Sequence, residues 1–357
     1  MSAARVPRSP AGAAADLARL TEIVEQFRHQ VIVLLGDFVA DEFQRGDIAR
    51  VSREAPVLIL RHRETQLLPG GGANAANNLA DLGARVRPVS IVGNDAAGRA
   101  LIEHFRRRHV KTSGIISLRG WTTPVKTRFL AGWAHTVPQQ VLRVDRQSCA
   151  PPPSAAHGLL KQKLRAAMGG GGHLLVSDYG FGVVTPELVR EATASGRRKP
   201  VVTLDSRFAL HGFRGAAITA ATPNEAELEA LHHTSIGLDP KTLERCARKT
   251  LDQMRLRALV VTRGKDGMAV FERGKPAVFI PVFGNEQAID VTGAGDTVIA
   301  ALTLALAAGA NFVEAAHIAN IAGGIVVMKR GTATVTGEEL LGAIRREATG
   351  AEASGSR

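Results

Sequence analysis

The sequence predicts an α/β fold in which helices flank a doubly wound, mostly parallel β-sheet. Three observations support this fold class. From residue 154 onwards, short apolar runs alternate with helical stretches, and several of these runs end in an acidic residue. Acidic residues at the carboxyl ends of strands lie where open α/β sheets bind ligands. Two β-rich segments, residues 44–69 and 114–145, lack helical stretches between their strands, which indicates a second, smaller sheet.

The composition limits the classes of protein to which the chain can belong. Its 357 residues suffice for one large α/β domain or two smaller ones. Hydrophobic residues make up 45% of the chain and aromatic residues only 4%, so Val, Leu, Ile and Ala must form the core. The two cysteines, Cys149 and Cys246, cannot form a disulfide framework, which favours a cytoplasmic location. No apolar run reaches the roughly 18 residues that span a bilayer, so no membrane partner is expected.

Both ends of the sequence have the composition of flexible segments. Residues 1–29 contain no apolar core of a secretion signal, and Ala, Pro, Ser and Arg dominate residues 1–16. We therefore expect a flexible basic tail over residues 1–29, a folded domain over residues 30–346 and a flexible C-terminal tail over residues 347–357.

The net charge of +12 raises the question of nucleic-acid binding. The basic residues are scattered, however, and the densest clusters, Arg106–Arg108 and Arg197–Lys199, lie near the ends of predicted helices, where cations suit the helix dipole. No zinc-finger spacing or RNA-binding aromatic pattern accompanies them. A solvated basic surface is the preferred interpretation, attraction of anionic substrates is the second, and no nucleic-acid partner is expected.

The first predicted strand leads into two acidic residues. Val31–Leu35 is an apolar run that ends in Gly36 and Asp37, and Asp41 follows four residues later. Acids in this position lie at the ligand-binding edge of an open α/β sheet. Turn capping explains Asp37 equally well, but Asp41 has less structural reason to be there.

A glycine-rich segment opens the next helix. Gly70, Gly71 and Gly72 permit a close approach of the backbone, and the helix that follows ends at Gly83. Asn74 stands at the start of this helix, where its amide can either cap the helix or bind a sugar hydroxyl.

The second β-rich segment carries alternating cations. Lys126, Arg128 and Arg143 occupy positions from which some of their side chains should share one face of a small sheet. Such a face is either solvated surface or a clamp for a substrate phosphate.

Asn224 and Glu227 begin a helix that follows a predicted strand. They are three residues apart and therefore share a face of that helix. A neutral amide and a carboxylate suit Mg²⁺ held through water, because this ion dehydrates reluctantly. A capping box fits the same spacing equally well.

The stretch with the most chemical content is Asp290–Thr297, which reads Asp-Val-Thr-Gly-Ala-Gly-Asp-Thr. It precedes the apolar run Val298–Ala308, which predicts a buried helix. The start of a helix offers unpaired N–H groups and favours an anion. The carboxylate of Asp296 at that point suits a base that takes a proton from a hydroxyl attacking a phosphoryl group. The alternative is an ordinary glycine-rich turn with Asp in the first helical turn.

Taken in order, five motifs resemble those of the ribokinase, or PfkB, family of carbohydrate kinases, and the resemblance covers about residues 31–345. The motifs are Gly36–Asp41, Gly70–Asn74, Asn224–Glu227, Thr262–Gly267 and Asp290–Asp296. The resemblance implies a ribokinase-like fold, with ATP and Mg²⁺ as cofactors. It also implies that the small sheet is a lid over the sugar, formed here by residues 39–69 and 114–146, which often mediates homodimer formation in this family.

The resemblance further implies a role for each motif. The catalytic groups would be the base Asp296 and an anion hole formed by Gly293, Ala294 and Gly295. The sugar would contact Asp41, Gly71, Gly72 and Asn74, and our candidates for a phosphate on that sugar are the lid cations Lys126, Arg128 and Arg143. The nucleotide would be bordered by Asn224, Thr262, Gly264 and Gly267, with Asn320 near the adenine. Metal ions would be held by Asn224 and Glu227 for Mg²⁺, and by Asp290 and Thr292 for a monovalent cation such as K⁺.

Within this family, four stretches are similar to the kinases that convert D-glycero-β-D-manno-heptose 7-phosphate to the 1,7-bisphosphate in ADP-heptose synthesis. These stretches are Arg50–Val57, Gln139–Asp145, Ser177–Tyr179 and Asp290–Thr297. Two departures concern the substrate, because Phe181 and Arg207 lie where those kinases carry Lys, and Arg207 would compensate only in part. Another sugar or sugar phosphate is therefore the runner-up substrate, and a non-catalytic sugar or nucleotide sensor is the rival class.

Overall fold

The computed structural model describes residues 16–133, 137–194, 199–208, 210–284 and 288–355. Its strands are β1 (Val31–Gly36), β2 (Phe38–Val51), β3 (Leu58–Gly71), β4 (Arg85–Gly93), β5 (Ile115–Leu118), β6 (Val125–Gly132), β7 (Gln139–Arg146), β8 (His173–Asp178), β9 (Val202–Ser206), β10 (Ala220–Ala221), β11 (Ala258–Thr262), β12 (Met268–Glu272) and β13 (Val278–Ile280). Its helices are α1 (Leu17–Glu25), α2 (Gly72–Asp81), α3 (Ala96–Arg107), α4 (Ser154–Gly169), α5 (Pro186–Ala194), α6 (Glu225–His232), α7 (Pro240–Met254), α8 (Ala294–Ala307), α9 (Phe312–Val326) and α10 (Gly337–Gly355). None of these helices has the length and apolar character needed to cross a membrane.

The main sheet of the described chain has nine strands in the order β13-β12-β11-β10-β9-β8-β1-β4-β5. Neighbouring strands from β11 to β5 are parallel, whereas β12 and β13 form an antiparallel edge. The chain builds outwards from β1 in both directions, so β1 and β8 flank the point where the strand order reverses. Open α/β sheets bind ligands at the carboxyl ends of the strands at this point.

Two hydrophobic clusters cover the faces of this sheet. Along β1, Ile32 and Leu34 pack into one cluster and Val33 and Leu35 into the other, as the two-residue period of a strand requires. Helices α1, α2, α3, α8, α9 and α10 contribute to the first cluster, and α4, α5, α6 and α7 to the second. The doubly wound α/β sheet predicted from the sequence is therefore confirmed.

The smaller sheet has the strand order β3-β2-β6-β7 and lies apart from the main one. The long hairpin of β2 and β3 is antiparallel, and β6 runs parallel to β2. Because β1 ends at Gly36 and β2 begins at Phe38, the small sheet continues directly from β1 of the main sheet. One part of the expected lid is misplaced, since Ile115–Leu118 pairs with β4 in the main sheet.

The expectation of a flexible N-terminal tail is wrong for residues 17–29. Helix α1 and the helical turn Phe27–His29 lie within residues 1–29, and α1 packs against α10. Leu20, Ile23, Val24 and Phe27 recur at helical spacing and are all at most 4% exposed, so burying them stabilises this segment. At the other end, the backbone of α10 continues to Gly355. Residues 1–15 and 356–357, and Arg197 and Arg198 of the second basic cluster, lie outside the described residues.

Candidate active site

Asp296 lies in the first turn of α8, directly beside the carboxyl ends of the central strands. Helix α8 packs against α2, α9, β8 and β9, and nearly all of its residues are buried, which explains why its sequence is rich in Ala and Leu. Gly293 precedes the helix with a φ of 78°, a left-handed conformation that glycine adopts without strain. Asp296 is only 2% exposed, although its side chain is ionisable. A buried acid in this position needs partners or a function.

Two donors bind the two oxygens of the Asp296 carboxylate. Asn74 Nδ2 donates to Oδ2 at 2.9 Å, and the Tyr179 hydroxyl donates to Oδ1 at 2.8 Å. Burial raises the pKa of Asp296 to about 7, against the lowering effect of these hydrogen bonds; Asp41 adds to the increase and Lys126 opposes it. A carboxyl group with a pKa near 7 is suited to act as a general base at neutral pH.

Asn74 belongs to a buried network that continues behind the carboxylate. Asn78 Nδ2 donates to Asn74 Oδ1 at 3.2 Å, and the Thr297 hydroxyl donates to Asn78 Oδ1 at 3.0 Å. A Cβ on Gly293 would lie 2.5 Å from Asn74 Nδ2, so the turn before α8 needs glycine for this close approach. Asn74 was predicted to bind sugar or to cap α2. In this structure its amide holds Asp296.

The predicted glycine segment brings α2 against the end of β1. The Gly72 N–H donates to the Asp37 carbonyl at 2.9 Å, and a Cβ on Gly72 would lie 3.1 Å from the Gly36 Cα. Gly71 has a φ of 55° and packs beside the Tyr179 ring. These contacts give both glycines a packing role, and the expected contact with a sugar remains a prediction.

The turn at Gly293–Gly295 opens towards free space. A Cβ on Gly295 would meet no atom within 4 Å, in contrast to one on Gly293. The first N–H groups of a helix have no acceptor within the helix, and the positive end of the dipole favours an anion there. The Ala294 N–H already donates to the Val291 carbonyl at 3.2 Å, so it is not a free donor in this structure. The turn combines open space with the carboxylate of Asp296, and its role as an anion hole remains a prediction.

The cations predicted to form a phosphate clamp have separate partners. Arg128 forms an ion pair with Asp41, and their side chains are only 11% and 5% exposed. Lys126 Nζ lies 5.0 Å from the centre of the Tyr179 ring. Arg143 is opposite Arg128 in the strand register, but it is exposed and pairs with Asp145 at 2.9 Å. The three cations lie on one sheet and differ in their direct contacts, but all three lower the pKa of Asp41. Their binding of a phosphate remains a prediction.

The charged groups of the lid also have shifted pKa values. Burial raises the pKa of Asp41, although Arg128 opposes the increase, and burial lowers the pKa of Lys126. Both shifts reflect the cost of holding charge away from water at the mouth of the crevice.

Asn224 and Glu227 form the capping box that their spacing allowed. The Glu227 N–H donates to Asn224 Oδ1 at 2.8 Å, and the Asn224 N–H donates to Glu227 Oε2 at 2.9 Å. Burial raises the pKa of Glu227. The pKa of Asp205 is raised well above its ordinary value by burial and then by Glu227, Asp296 and Asp178, whereas Arg207 lowers it. Asn224 and Glu227 supply oxygen ligands of the kind that suits Mg²⁺ held through water, and their binding of this ion remains a prediction.

The remaining predicted residues lie in ordinary structural contacts. Thr262 ends β11 and bridges to Asn224, Gly264 begins a short helical turn, and Gly267 ends that turn with a φ of 80°. Asn320 Nδ2 donates to the Pro281 carbonyl at 2.7 Å.

The predicted monovalent-cation residues lie in the loop before α8. Asp290 accepts hydrogen bonds from the N–H groups of Thr292 and Gly331, both at 2.9 Å. Within the described ranges, no group of three or more His, Cys, Asp or Glu side chains is arranged to hold a metal ion. An ion held mainly through water and backbone oxygens does not need such a group.

Sequence reasoning assigned no role to Tyr179 and offered turn capping for Asp37. Asp37 is fully buried and accepts hydrogen bonds from the N–H groups of Tyr179, Phe181 and Val183, at 2.8, 3.1 and 3.0 Å. Burial, followed by the charge of Asp178, raises the pKa of Asp37 to about 6 despite these donors. Two signals for Tyr179 were available: its position just after a predicted strand, and its place in the stretch Ser177–Tyr179 that resembles the heptose 7-phosphate kinases.

Comparisons with known protein sequences give a family match and similar relatives. The model of the family described as pfkB family carbohydrate kinase matches residues 38–137 and 168–338. The bifunctional protein HldE of Pelobacter propionicus is 36% identical over 329 residues, which cover 92% of this chain and 66% of that protein. The chain thus spans just under two thirds of the length of this relative.

Solved structures give the same fold. Arabidopsis thaliana ribokinase, complexed with ribose and ATP, is similar with a TM-score of 0.68 and 19% identity, covering 88% of this chain and 98% of the ribokinase. Escherichia coli phosphofructokinase-2, in complex with potassium, has a TM-score of 0.69 and 18% identity, covering 89% of this chain and 99% of that enzyme. Both similarities concern the fold.

Proposed function

Because the chain belongs to the pfkB family of carbohydrate kinases, we propose that it transfers the γ-phosphoryl group of ATP to a sugar hydroxyl, with Asp296 as the base. The observation that carries this proposal is the buried carboxylate of Asp296 beside the open turn Gly293–Gly295. The base and the anion site come from one short stretch of chain, so a hydroxyl and a phosphoryl group bound there would be adjacent.

The proposed reaction is a direct in-line transfer without a phosphoenzyme. The sugar hydroxyl gives its proton to Asp296, its oxygen bonds to the γ-phosphorus, and the bond from that phosphorus to the bridging oxygen of ADP breaks. The N–H groups at the start of α8 stabilise the charge that develops on the transferred group. Closure of the small sheet over the sugar would exclude water and suppress hydrolysis of ATP.

Mg²⁺ is the proposed metal cofactor, with Asn224 and Glu227 holding it through water. When bound, it neutralises charge on the nucleotide phosphates. Asp290 and Thr292 are the proposed residues for a monovalent cation, in line with the potassium complex of phosphofructokinase-2. Thr262, Gly264, Gly267 and Asn320 are the proposed border of the nucleotide.

The proposed acceptor is the anomeric hydroxyl of D-glycero-β-D-manno-heptose 7-phosphate. The four stretches similar to kinases of this substrate support it, and so does the similarity to HldE. Arg143 supplies an exposed cation at the small sheet that could meet the 7-phosphate, with Asp41, Gly71, Gly72 and Asn74 towards the sugar. Phe181 and Arg207 lie at positions where Lys is expected. Other sugars and sugar phosphates are therefore the alternative acceptors.

We also propose a homodimer that forms through the small sheet. All residues of β7 are exposed, including Val141, Leu142 and Val144, which are 46–55% exposed. Apolar side chains at this density on an edge strand are better explained by a covering partner than by solvent.

The test is ATP consumption by the pure protein against a panel of acceptors, with Mg²⁺ and K⁺ present. The panel includes D-glycero-β-D-manno-heptose 7-phosphate, sedoheptulose 7-phosphate, fructose, fructose 6-phosphate and ribose. Turnover of the heptose phosphate alone is the expected result. Turnover of a different sugar would replace the proposed acceptor, and tight ATP binding with no turnover would favour a sensor.

A further inference from the structure

We propose that the hydroxyl of Tyr179 is a positioning group that fixes the orientation of the Asp296 carboxylate and links it to the small sheet. This inference rests on the proposed role of Asp296 as the base. Tyr179 would not touch the reacting atoms, and its effect on the reaction would pass through Asp296.

The first observation is that each oxygen of the Asp296 carboxylate accepts a hydrogen bond from a different structural element. Tyr179 donates to Oδ1 from the loop after β8, and Asn74 donates to Oδ2 from α2. An ionised carboxylate accepts about four hydrogen bonds, so each oxygen keeps capacity for a further donor such as a sugar hydroxyl. With both oxygens held, rotation about the Cβ–Cγ bond is restricted and the same lone pairs face the crevice.

The second observation is the rigid attachment of Tyr179 itself. Its N–H and those of Phe181 and Val183 donate to the buried carboxylate of Asp37. Asp37 is the residue between β1 and β2, so the loop that carries Tyr179 is attached to the junction of the two sheets. Because the backbone of Tyr179 is fixed by Asp37, its hydroxyl can fix the orientation of the Asp296 carboxylate.

The third observation is the contact of the Tyr179 ring with the small sheet. Lys126 on β6 places its ammonium group 5.0 Å from the centre of the ring, within the range of a cation–π interaction. The ring thus lies between a cation of the lid and the base. A movement of β6 towards or away from the crevice would act on the base through this ring.

The hydroxyl also has an electrostatic effect on Asp296. Its hydrogen bond lowers the pKa of Asp296, together with that from Asn74 and the charge of Lys126, against burial and Asp41. The carboxyl group of Asp205 also faces Asp296. Loss of the hydroxyl should therefore favour the protonated base, which cannot accept the proton of the sugar.

The kinetic test is Tyr179→Phe, which removes the hydroxyl and keeps the ring. We expect kcat to fall roughly tenfold, with KM for ATP within about twofold of the wild-type value, since one charge-assisted hydrogen bond to the base is lost. The acid limb of the kcat/KM profile should move to higher pH. The matched control is Thr303→Val in the same helix, which removes a buried hydroxyl that pairs with Thr203 at 2.6 Å, away from the site.

A second test does not need a substrate, because Tyr179 is the one tyrosine in the chain. Its ionisation can be followed by near-ultraviolet absorbance while circular dichroism monitors the fold. Burial, followed by the charge of Asp296, raises the pKa of Tyr179 well above its ordinary value. In Asp296→Asn, the phenol should therefore ionise at lower pH than in the wild type.

The outcomes separate this inference from the proposed function. A pH shift in the phenol titration, together with the displaced acid limb in Tyr179→Phe, supports the positioning role. An unchanged acid limb in Tyr179→Phe would make Tyr179 merely structural. The same conclusion would follow if the loss of activity in Tyr179→Phe only paralleled its fall in melting temperature, as it does in the control Thr303→Val. If the wild type phosphorylates no acceptor, the proposed function fails, but the phenol titration still decides whether Tyr179 and Asp296 are coupled. An unshifted phenol titration in Asp296→Asn would overturn the inference.

Discussion

Protonation of Asp296 should control the rate of the reaction between pH 6 and 8. Burial raises the pKa of this carboxyl group to about 7, and only the ionised form can accept the proton of the sugar hydroxyl. At one pH unit below that pKa, roughly one tenth of the free protein carries an ionised base. We therefore expect kcat/KM for the sugar at pH 6 to be about tenfold below its plateau, with a slope of one decade per pH unit below that. Steady-state rates at saturating ATP, measured from pH 5.5 to 8.5, give this profile.

The variant Asp296→Asn tests whether the acid limb belongs to this residue. It should lower kcat by about 10²–10⁴ while ATP affinity remains near normal, and its residual activity should lack the limb. Asp37 also has a raised pKa, of about 6, so a limb that persists in Asp296→Asn would assign the controlling proton to another group. A flat wild-type profile, or near-wild-type turnover in the variant, would refute Asp296 as the base.

The same pKa has a consequence for stability. A carboxyl group whose pKa rises from 3.8 to about 7 on folding binds a proton more tightly in the native state, so its stabilising contribution is present below pH 4 and is lost as the pH rises through 7. The full loss is on the order of 4 kcal/mol at pH 8. Asp296→Asn does not undergo this loss. Its melting temperature minus that of the wild type should therefore be larger at pH 8 than at pH 4.

Further variants test the small sheet and the turn before α8. Arg143→Gln should raise KM for a phosphorylated sugar about three- to tenfold and leave KM for ATP nearly unchanged, whereas equal effects on both would contradict a phosphate clamp. Arg128→Met should lower the free energy of unfolding by about 3–5 kcal/mol in denaturant titrations, because it removes the cation paired with the buried Asp41 and leaves only the weaker effects of Lys126 and Arg143; a loss below 1 kcal/mol would contradict this. Gly295→Ala should melt like the wild type but lose turnover, since its methyl group enters the open space at the anion site. Gly293→Ala should melt at a lower temperature because of its left-handed φ, and the opposite order of the two melting temperatures would refute this account.

Local sequence patterns were enough to predict most of the fold and the centre of the candidate site. The apolar run after Asp296 and the small residues before it are consecutive in the chain, so spacing alone indicated a buried helix with an acid at its start. The capping box of Asn224 and Glu227 was readable for the same reason. The sequence spacing did not distinguish a cap from a metal site, because both need the same two side chains on one face.

Long-range contacts explain what sequence reasoning missed. Tyr179 and Asn74 reach Asp296 across 117 and 222 residues, a separation over which no periodicity is visible. Ile115–Leu118 has the alternation of a strand, but alternation does not show which sheet a strand joins. The error over residues 17–29 was avoidable, because Leu20, Ile23, Val24 and Phe27 have the spacing of one helical face. The Ala-, Pro-, Ser- and Arg-rich composition of the preceding residues obscured it.

The packing of α1 against α10 determines when the chain can finish folding during synthesis. Leu20 and Ile23 belong to the same core cluster as Leu340, Ala343 and Ile344, more than 300 residues later. Until the ribosome has released this late segment, the apolar face of the first helix is without that part of its native cover. The first helix therefore keeps an incompletely covered apolar face until α10 has emerged, and we expect chaperones that bind such surfaces to recognise this intermediate.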